Sequence, residues 1–209
     1  MPGYLYDARV RPLVAGVPIL CPAPGAGVVG TLGWIVERTP GERFGLTCRH
    51  VIVGASRVAA DVDGAPVCQP AVDDPQNVVG VARAAYVDAT LDAAFFEIDA
   101  SAPVDFDVGG MGPCGPPTTP TKGMSVLKLG YETGPVQGVA HAVLPDGLVF
   151  VRPTTPTASF STIGDSGAVW FEQGTRSPIA LHTGVGFRMG VRVSVAIDLH
   201  LILPTLGLS

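Results

Sequence analysis

Three residues of the chain have the types and the order of an activated serine nucleophile, namely His50, Asp92 and Ser166. A serine hydroxyl at its ordinary pKa reacts slowly, so it needs a base to take its proton and a carboxylate to orient and stabilise that base. The intervals between the three residues are too long for one local motif, and they suit three loops that meet between two small barrels. The pattern therefore predicts a serine hydrolase, and we expect it to be a peptidase.

The composition indicates what framework must bring these residues together. The chain has 209 residues, enough to bury a core in one large or two small domains. It contains 27 glycines and 20 prolines, about twice ordinary usage, yet 47% of its residues are hydrophobic. Many turns between short apolar runs favour an all-β protein. A formal net charge of −5 argues against binding to nucleic acid.

The strand-like runs form two groups, and we expect two six-stranded antiparallel β-barrels. An N-terminal barrel over residues 1–110 carries His50 and Asp92, and a C-terminal barrel over residues 123–209 carries Ser166. Residues 111–122 contain four prolines and should form an extended connector. The expected strands are 30–36, 44–48, 57–63, 78–87, 93–98, 125–131, 138–144, 148–152, 168–171, 178–182 and 191–197. Residues 198–208 are apolar enough for a short helix or a capping strand.

Several motifs resemble those of the chymotrypsin/trypsin-like serine peptidases. Thr47-Cys-Arg-His50 resembles the family's T-A-A-H block, Leu91-Asp92-Ala resembles its D-I-A block, and Gly164-Asp-Ser166-Gly is its G-D-S-G block. Other blocks resemble the intracellular trypsin-like branch of bacteria and plants, namely Val10-Arg-Pro12, Gly30-Thr-Leu-Gly33 and Lys128-Leu-Gly130-Tyr-Glu-Thr133-Gly134. The resemblance runs from about residue 10 to the end of the chain, and its strength is that all the blocks occur in order.

The resemblance implies a role for each residue of the site, between the two barrels. Ser166 would attack the scissile carbonyl, His50 would accept and return the proton, and Asp92 would fix the histidine tautomer. The backbone N–H groups of Gly164 and Ser166 would form the oxyanion hole. The substrate would be a protein or peptide, and neither a cofactor nor a metal is expected. Two alternatives remain open: an esterase that uses the same triad, and a catalytically silent binding module that keeps the fold.

Asp165 needs a partner that the sequence does not identify. In secreted relatives, the aspartate at this position pairs with the N-terminal amine that zymogen cleavage releases. The chain has no Ile-Val-Gly-Gly start, so an internal partner, such as an arginine or backbone donors, must neutralise Asp165, because a lone buried carboxylate is costly. We therefore expect a protein that folds in an active form, or one that is switched by an activating partner or by homo-oligomer formation.

The resemblance also places a substrate pocket around Phe160, Ser161, His182 and Gly184. Phe160 stands where trypsin-type enzymes carry the aspartate that selects Arg or Lys, so cleavage after basic residues is not expected. His182 stands where glutamate-specific bacterial enzymes place a histidine, and with the hydroxyl of Ser161 or Thr162 it could bind Glu or Gln. The alternative is that His182 is a strand residue satisfied by its neighbours.

The cysteines and the first apolar stretch bear on location. Cys21, Cys48, Cys68 and Cys114 have no paired spacing, so we expect reduced thiols in a cytoplasmic protein, with a Cys48–Cys68 bridge as the alternative. Residues 13–21 loosely imitate a signal peptide, which keeps export open, and no apolar run has the length of a membrane helix. The Ala, Gly, Val, Pro and Arg bias indicates a GC-rich bacterium, and processing in a bacterial defence or regulatory system is a further hypothesis.

Overall fold

The structure, a computed structural model, describes residues 8–22, 28–54, 58–155 and 160–208. These residues form thirteen β-strands, two short α-helices and three 3₁₀ turns, so the prediction of an all-β protein is confirmed. The strands are β1 (Pro18–Ile19), β2 (Gly30–Thr31), β3 (Trp34–Thr39), β4 (Glu42–Cys48), β5 (Pro66–Cys68), β6 (Val78–Asp88), β7 (Ala93–Ile98), β8 (Ser125–Gly130), β9 (Gly134–Val143), β10 (Leu148–Pro153), β11 (Val169–Glu172), β12 (Pro178–Arg188) and β13 (Val191–Asp198). The helices are α1 (Arg49–Val53) and α2 (Leu199–Ile202), and the 3₁₀ turns are Ala59–Val62, Pro75–Asn77 and Leu203–Leu206.

The first half of the chain forms a five-stranded antiparallel sheet in the order β3-β4-β7-β6-β5. β1 pairs with β2 in a separate two-stranded ribbon. Just after β1, Leu20 exchanges backbone hydrogen bonds of 3.1 and 2.8 Å with Cys68 of β5, N to O. Where the sequence predicted a six-stranded barrel, the structure thus has a five-stranded sheet with a two-stranded ribbon bridged to one of its edge strands.

The second half forms a closed barrel of six antiparallel strands in the order β10-β13-β12-β11-β8-β9. This part of the sequence-based prediction matches the structure in strand number and in closure. The long β12–β13 hairpin runs from the pair Ala180–Asp198 to the pair Arg188–Val191, with a bulge between His182 and Gly184. A bulge re-aims the side chains beside it, and this one lies beside the predicted substrate pocket.

Two apolar clusters fill the molecule. Trp170, Val126 and Ile179 are completely buried inside the second barrel. The first-half core is larger and also receives the end of the chain, because Leu199 and Ile202 of α2 and the turn that follows pack into it. Of the two predictions for the tail, the helix is the observed one.

The predicted strand at residues 57–63 is wrong, and the reason is a local polar side chain. Residue 57 lies outside the described residues, and residues 59–62 form a 3₁₀ turn. The Asp61 carboxylate accepts a hydrogen bond from the Val58 N–H, at 3.2 Å, which gives the backbone a local alternative to a strand ladder. Within the described part of the chain, neither short helix approaches the length or the apolar character of a membrane-spanning segment.

Candidate active site

His50 and Asp92 form a hydrogen-bonded pair at the end of two neighbouring strands. His50 Nδ1 lies 2.7 Å from Asp92 Oδ2, and the backbone N–H of His50 donates to Asp92 Oδ1 at 3.1 Å. Both side chains remain about one third exposed, 30% for His50 and 35% for Asp92. The carboxylate thus fixes the ring orientation through Nδ1 and leaves Nε2 for chemistry, which is the arrangement that a general base needs.

Strand pairing explains why these two residues meet although they are far apart in sequence. Cys48, the last residue of β4, pairs with Ala93, the first residue of β7, so the residues beside them become neighbours. Asp92 adopts a left-handed backbone conformation with φ 49°, and its carbonyl accepts the N–H of Arg49 at 3.0 Å. The turn before β7 therefore presents both carboxylate oxygens of Asp92 to the first turn of α1.

Ser166 lies on a loop of the second half that is anchored to the first half. Its carbonyl accepts the N–H of Thr31 at 2.8 Å, and the next N–H, of Gly167, donates to His182 O at 3.0 Å. Gly167 has φ 93°, and a Cβ there would overlap the Thr47 side chain, so a glycine is required for this turn. The loop therefore lies against the strand end that carries His50. Among the described residues, no hydrogen bond joins Ser166 to His50, and in unliganded sites such bonds are often long.

Thr31 is a contact point that the sequence reasoning missed. Its hydroxyl donates to Gly164 O at 2.8 Å and accepts the N–H of Tyr131 at 3.1 Å. Its own carbonyl accepts the hydroxyl of Thr47 at 2.9 Å. One buried threonine of β2 thus ties the nucleophile loop, the turn after β8 and β4 together.

The two predicted oxyanion-hole donors are Gly164 and Ser166. Within the described residues, neither backbone N–H donates to a protein acceptor. Gly164 has φ 103°, and a Cβ at this position would overlap the ring of Tyr131 and the side chain of Glu132. Only glycine fits this backbone, and the two N–H groups belong to the same short loop as Ser166.

The structure supplies the partner of Asp165 that the sequence left open. Lys128 Nζ lies 2.7 Å from Asp165 Oδ2, and both side chains are completely buried. The same carboxylate accepts the Thr133 hydroxyl at 2.8 Å and the backbone N–H groups of Glu132, Thr133 and Thr162 at 3.1 to 3.3 Å. Asp165 therefore has the paired and fully hydrogen-bonded environment that a buried charge requires.

The lysine of this pair is in an unusual environment. Burial lowers the pKa of the Lys128 ammonium from its usual value, and the neighbouring charge of Asp165 opposes that effect. A Cβ on Gly130, two residues further along β8, would collide with the Asp165 carboxylate. Residues 128–133 thus surround the Asp165 carboxylate with hydrogen-bond donors, and in this way they fix the loop that contains Gly164 and Ser166.

His182 is the centre of a second buried network. Its Nδ1 lies 2.7 Å from Ser194 Oγ and its Nε2 lies 2.6 Å from Ser161 Oγ, while Trp170 Nε1 donates to Ser194 Oγ at 3.0 Å. Burial, followed by the positive charge of Lys128, holds the pKa of His182 well below its usual value, so the ring is neutral at neutral pH. Both ring nitrogens of His182 therefore lie within hydrogen-bond distance of a buried serine hydroxyl.

Comparison with known proteins shows which of them share the fold of this chain. Neither a protein-family profile nor a curated protein sequence matches the chain. Among solved structures, Thermobifida fusca protease A superposes with a TM-score of 0.66 at 17% identity, over 94% of this chain and 96% of that one. The chain has the fold of the chymotrypsin-like serine proteases.

Two further chymotrypsin-like structures agree over nearly the whole chain. Cellulomonas bogoriensis chymotrypsin has a TM-score of 0.63 at 18% identity and covers 93% of this chain and 96% of its own. A glutamic-acid-specific serine protease, described as using a histidine triad in substrate binding, has a TM-score of 0.64 at 21% identity over 93% of this chain and 98% of its own. The likeness shows a shared fold, and the chemistry must be argued from the residues of this chain.

Of the four residues predicted for the substrate pocket, the structure joins two, since Ser161 Oγ lies 2.6 Å from His182 Nε2. Phe160, Ser161 and His182 are all buried, and Gly184 lies just past the bulge of β12. The sequence reasoning missed Arg192 of β13, whose Nη2 donates to Ser161 O at 3.0 Å and whose guanidinium carbon lies 5.6 Å from the centre of the Phe160 ring. An arginine thus lies against the first residues of the predicted pocket.

Cys48 lies close to the triad, and its environment is that of a neutral thiol. Its Sγ is within 4.8 Å of the nearest ligand atoms of His50 and Asp92. Burial, with a smaller contribution from the charge of Asp92, raises the pKa of the Cys48 thiol well above its usual value. Its Sγ donates to His182 O at 3.2 Å. A buried protonated thiol is inert, and this one packs between the two halves of the site.

Proposed function

We propose that this protein is a serine endopeptidase that uses His50, Asp92 and Ser166 as a catalytic triad. The observation that carries the proposal is the His50–Asp92 pair, joined at 2.7 Å, beside a glycine-flanked serine loop that is anchored across the interface between the two halves. The chymotrypsin-like fold supports the same interpretation, because it brings these elements together in the way that the proposed chemistry requires.

In the first step, Ser166 Oγ forms a bond to the carbonyl carbon of the scissile peptide. His50 Nε2 accepts the hydroxyl proton, and the resulting imidazolium is stabilised by the Asp92 carboxylate. The negative charge that develops on the carbonyl oxygen is bound by the N–H groups of Gly164 and Ser166. Removing one such donor typically costs about 10²–10³ in kcat.

In the second step, the tetrahedral intermediate collapses to an acyl-enzyme on Ser166. The C–N bond breaks, and His50 returns its proton to the departing amine. A water molecule then loses a proton to His50 and attacks the ester, which releases the carboxylic acid and restores the Ser166 hydroxyl. No group other than the triad, the backbone donors and water enters these steps.

A sheet edge next to the site favours a peptide over a small ester as substrate. β12 pairs with β11 only as far as Leu181, whereas it pairs with β13 as far as Arg188. Residues 183–188 therefore present, on the side away from β13, a backbone edge that pairs with no described strand. An extended peptide can add to such an edge through main-chain hydrogen bonds, which positions its carbonyl for attack.

Digestion of an unfolded protein tests the proposal. We expect wild type to cleave reduced, denatured casein at internal bonds, and Ser166→Ala and His50→Ala to leave it intact, with fragments identified by mass spectrometry. Turnover of small esters by folded wild type, with no cleavage of casein or of a diverse peptide mixture, would replace the proposal by an esterase. The idea of one dedicated substrate in a bacterial defence or regulatory system remains a prediction.

A further inference from the structure

We propose that Val185 and Phe187 make the enzyme prefer large apolar side chains at the third and fifth residues before the bond that is cleaved. The inference rests on the proposed peptidase function, because it assigns a substrate preference to the free edge of β12 beside the same site. The juxtaposition that carries it is an unpaired strand edge whose outward-facing backbone positions also bear exposed apolar side chains.

The turn of the β12–β13 hairpin decides which backbone groups face this edge. Met189 and Gly190 form a two-residue turn with φ 51° and 76°, the positive values that a type I′ turn requires. In such a hairpin the last residue of β12 and the first residue of β13 exchange both backbone hydrogen bonds. Bonds to β13 then alternate back along β12, and the N–H and C=O groups of Val185 and Phe187 point away from β13.

These outward groups lie just beyond the place where β12 loses its other neighbour. The His182 N–H donates to Ala168 O at 2.8 Å, and the His182 carbonyl accepts the Gly167 N–H at 3.0 Å. Past that point, no residue in the described part of the chain bonds to the outward N–H or C=O of Val185 or Phe187. Such a row of unpaired donors and acceptors is a template for another extended chain.

The nucleophile fixes where a peptide would lie along this edge. Gly167 is the first residue of its segment that bonds to β12, and Ser166 directly precedes it. A peptide bonded to Ser166 through its scissile carbonyl would extend along β12 in the antiparallel sense of β11, with its earlier residues toward the hairpin turn. The residue at the scissile bond then lies beside Thr183, so the third residue lies opposite Val185 and the fifth opposite Phe187.

The side chains at these two positions are apolar and open to solvent. Val185 and Phe187 lie on one face of β12, together with their cross-strand partners Ser194 and Arg192. This face is completely buried at Ser194 and opens toward the turn, where Val185 is 43% and Phe187 is 79% exposed. Residues directly opposite each other in an antiparallel pair share a face, so the third and fifth residues of the peptide would pack on Val185 and Phe187.

The hydrophobic effect and the alternation of the edge together define the preference. A large side chain of the peptide that packs on Phe187 removes apolar surface of both partners from water, which a serine or an aspartate does not do. On the other face of β12 the residues beside Val185 are Gly184 and Gly186, which offer no side chain, and a Cβ at Gly184 would meet nothing within 4 Å. The edge therefore selects at every second residue of the peptide, and the fourth residue should be free to vary.

Peptide substrates that differ at a single position test the inference. The parent is a peptide that wild type cleaves in the casein digest, and its third, fourth or fifth residue before the cut is made Leu or Ser. We expect kcat/KM to be about 5-fold higher with Leu than with Ser at the third and at the fifth residue, the size of one cross-strand side-chain pair. The two values at the fourth residue should be about equal.

A pair of phenylalanine variants tests which side chain is responsible. Phe187→Ser should abolish the preference at the fifth residue and keep the preference at the third, because Val185 is unchanged. Phe106→Ser removes a phenylalanine that is 41% exposed on a loop that follows the first sheet, and this matched control should keep both preferences. Both variants should react with an unspecific fluorophosphonate as fast as wild type, since neither residue belongs to the triad or its loop.

The possible failures have different signatures. Equal kcat/KM for Leu and Ser at the fifth residue in wild type, or a preference that survives in Phe187→Ser, would show that bound peptides do not pack on this side chain. A wild-type dimer that becomes a monomer in Phe187→Ser, with the peptide preference unchanged, would assign the hairpin to a contact between two copies of the chain. Folded wild type that cleaves no peptide and reacts with no fluorophosphonate would refute the proposed function itself.

Discussion

The two carboxylates of the site, one in each half of the molecule, have opposite environments. Asp92 in the first half is about one third exposed and holds a single imidazole. Asp165 in the second half is completely buried and accepts hydrogen bonds from a lysine, a threonine hydroxyl and backbone N–H groups. A carboxylate that supports a changing charge on His50 needs one well-oriented contact, whereas a carboxylate that shapes a loop needs every lone pair satisfied.

The two environments predict that Asp92 matters for activity and Asp165 for stability. The largest expected effect is the loss of activity in the Asp92→Asn variant. An amide at this position favours the wrong histidine tautomer, so we expect kcat on a peptide substrate to fall by about 10⁴. The free energy of unfolding should change by less than about 1 kcal/mol, because the pair is part-exposed. Steady-state kinetics and urea unfolding measure the two quantities.

Asp73→Asn, at an exposed turn, is the matched control and should change neither quantity. If Asp92→Asn destabilised the protein by several kcal/mol, the separation between the two carboxylates would fail.

Lys128→Met should have the converse effect and act first on stability. Removing one partner of a buried ion pair leaves an uncompensated charge, and such changes typically cost about 3–5 kcal/mol of unfolding free energy. We expect the urea midpoint of this variant to be lower than that of wild type. The midpoint of Lys122→Met should be unchanged, because Lys122 is exposed. Equal midpoints for the two variants would show that the Lys128–Asp165 pair does not hold the loop.

Thr31→Val sharpens the comparison at the interface between the halves. The substitution keeps the shape but leaves Gly164 O and the Tyr131 N–H without the threonine hydroxyl, at a cost of about 2 kcal/mol in unfolding free energy. Thr31→Ser retains the hydroxyl and should stay close to wild type. Chemical denaturation of both variants measures the difference, and a valine variant as stable as the serine variant would contradict this role.

The smallest effect concerns the pH dependence of stability. Because the pKa of His182 is lowered in the folded protein, the unfolded chain takes up a proton below about pH 6.5 that the folded protein does not. Stability is therefore lost as the pH falls below about 6.5, at up to about 1.4 kcal/mol per pH unit from this residue.

His182→Asn should remove that part of the slope, as measured by urea unfolding between pH 5 and pH 8. The curves of the variant and wild type should run parallel above pH 7. Parallel curves over the whole range would mean that His182 takes up its proton at the same pH in the folded and the unfolded protein, which would contradict a lowered pKa.

The sequence was most informative where function depends on short local patterns. The strands next to His50 and Asp92 were predicted because residues 44–48 and 93–98 are largely apolar runs bounded by turns. The strand number of the first half was predicted wrongly as six, because the β1–β2 ribbon and the bridge between Leu20 and Cys68 are too short to leave a periodic signal.

The residues that were missed are polar groups buried by long-range pairing. Lys128 stood inside a motif already identified by its resemblance, but a lysine in a strand is ordinarily expected at the surface, so its pairing with Asp165 was not anticipated. A signal for Arg192 was present, because Val191-Arg-Val-Ser-Val195 alternates strictly and puts Arg192 and Ser194 on one face. What the sequence lacked was the partner strand, which brings that face against His182.

Labelling with a fluorophosphonate tests the central claim most directly, with wild type beside Ser166→Ala and His50→Ala. The probe bonds only to a serine whose hydroxyl is activated, so the result reports the assembled site without knowledge of the substrate. The account predicts labelling of wild type at Ser166 and none in either variant. An unlabelled wild type that unfolds cooperatively, or equal labelling of the His50→Ala variant, would contradict the triad.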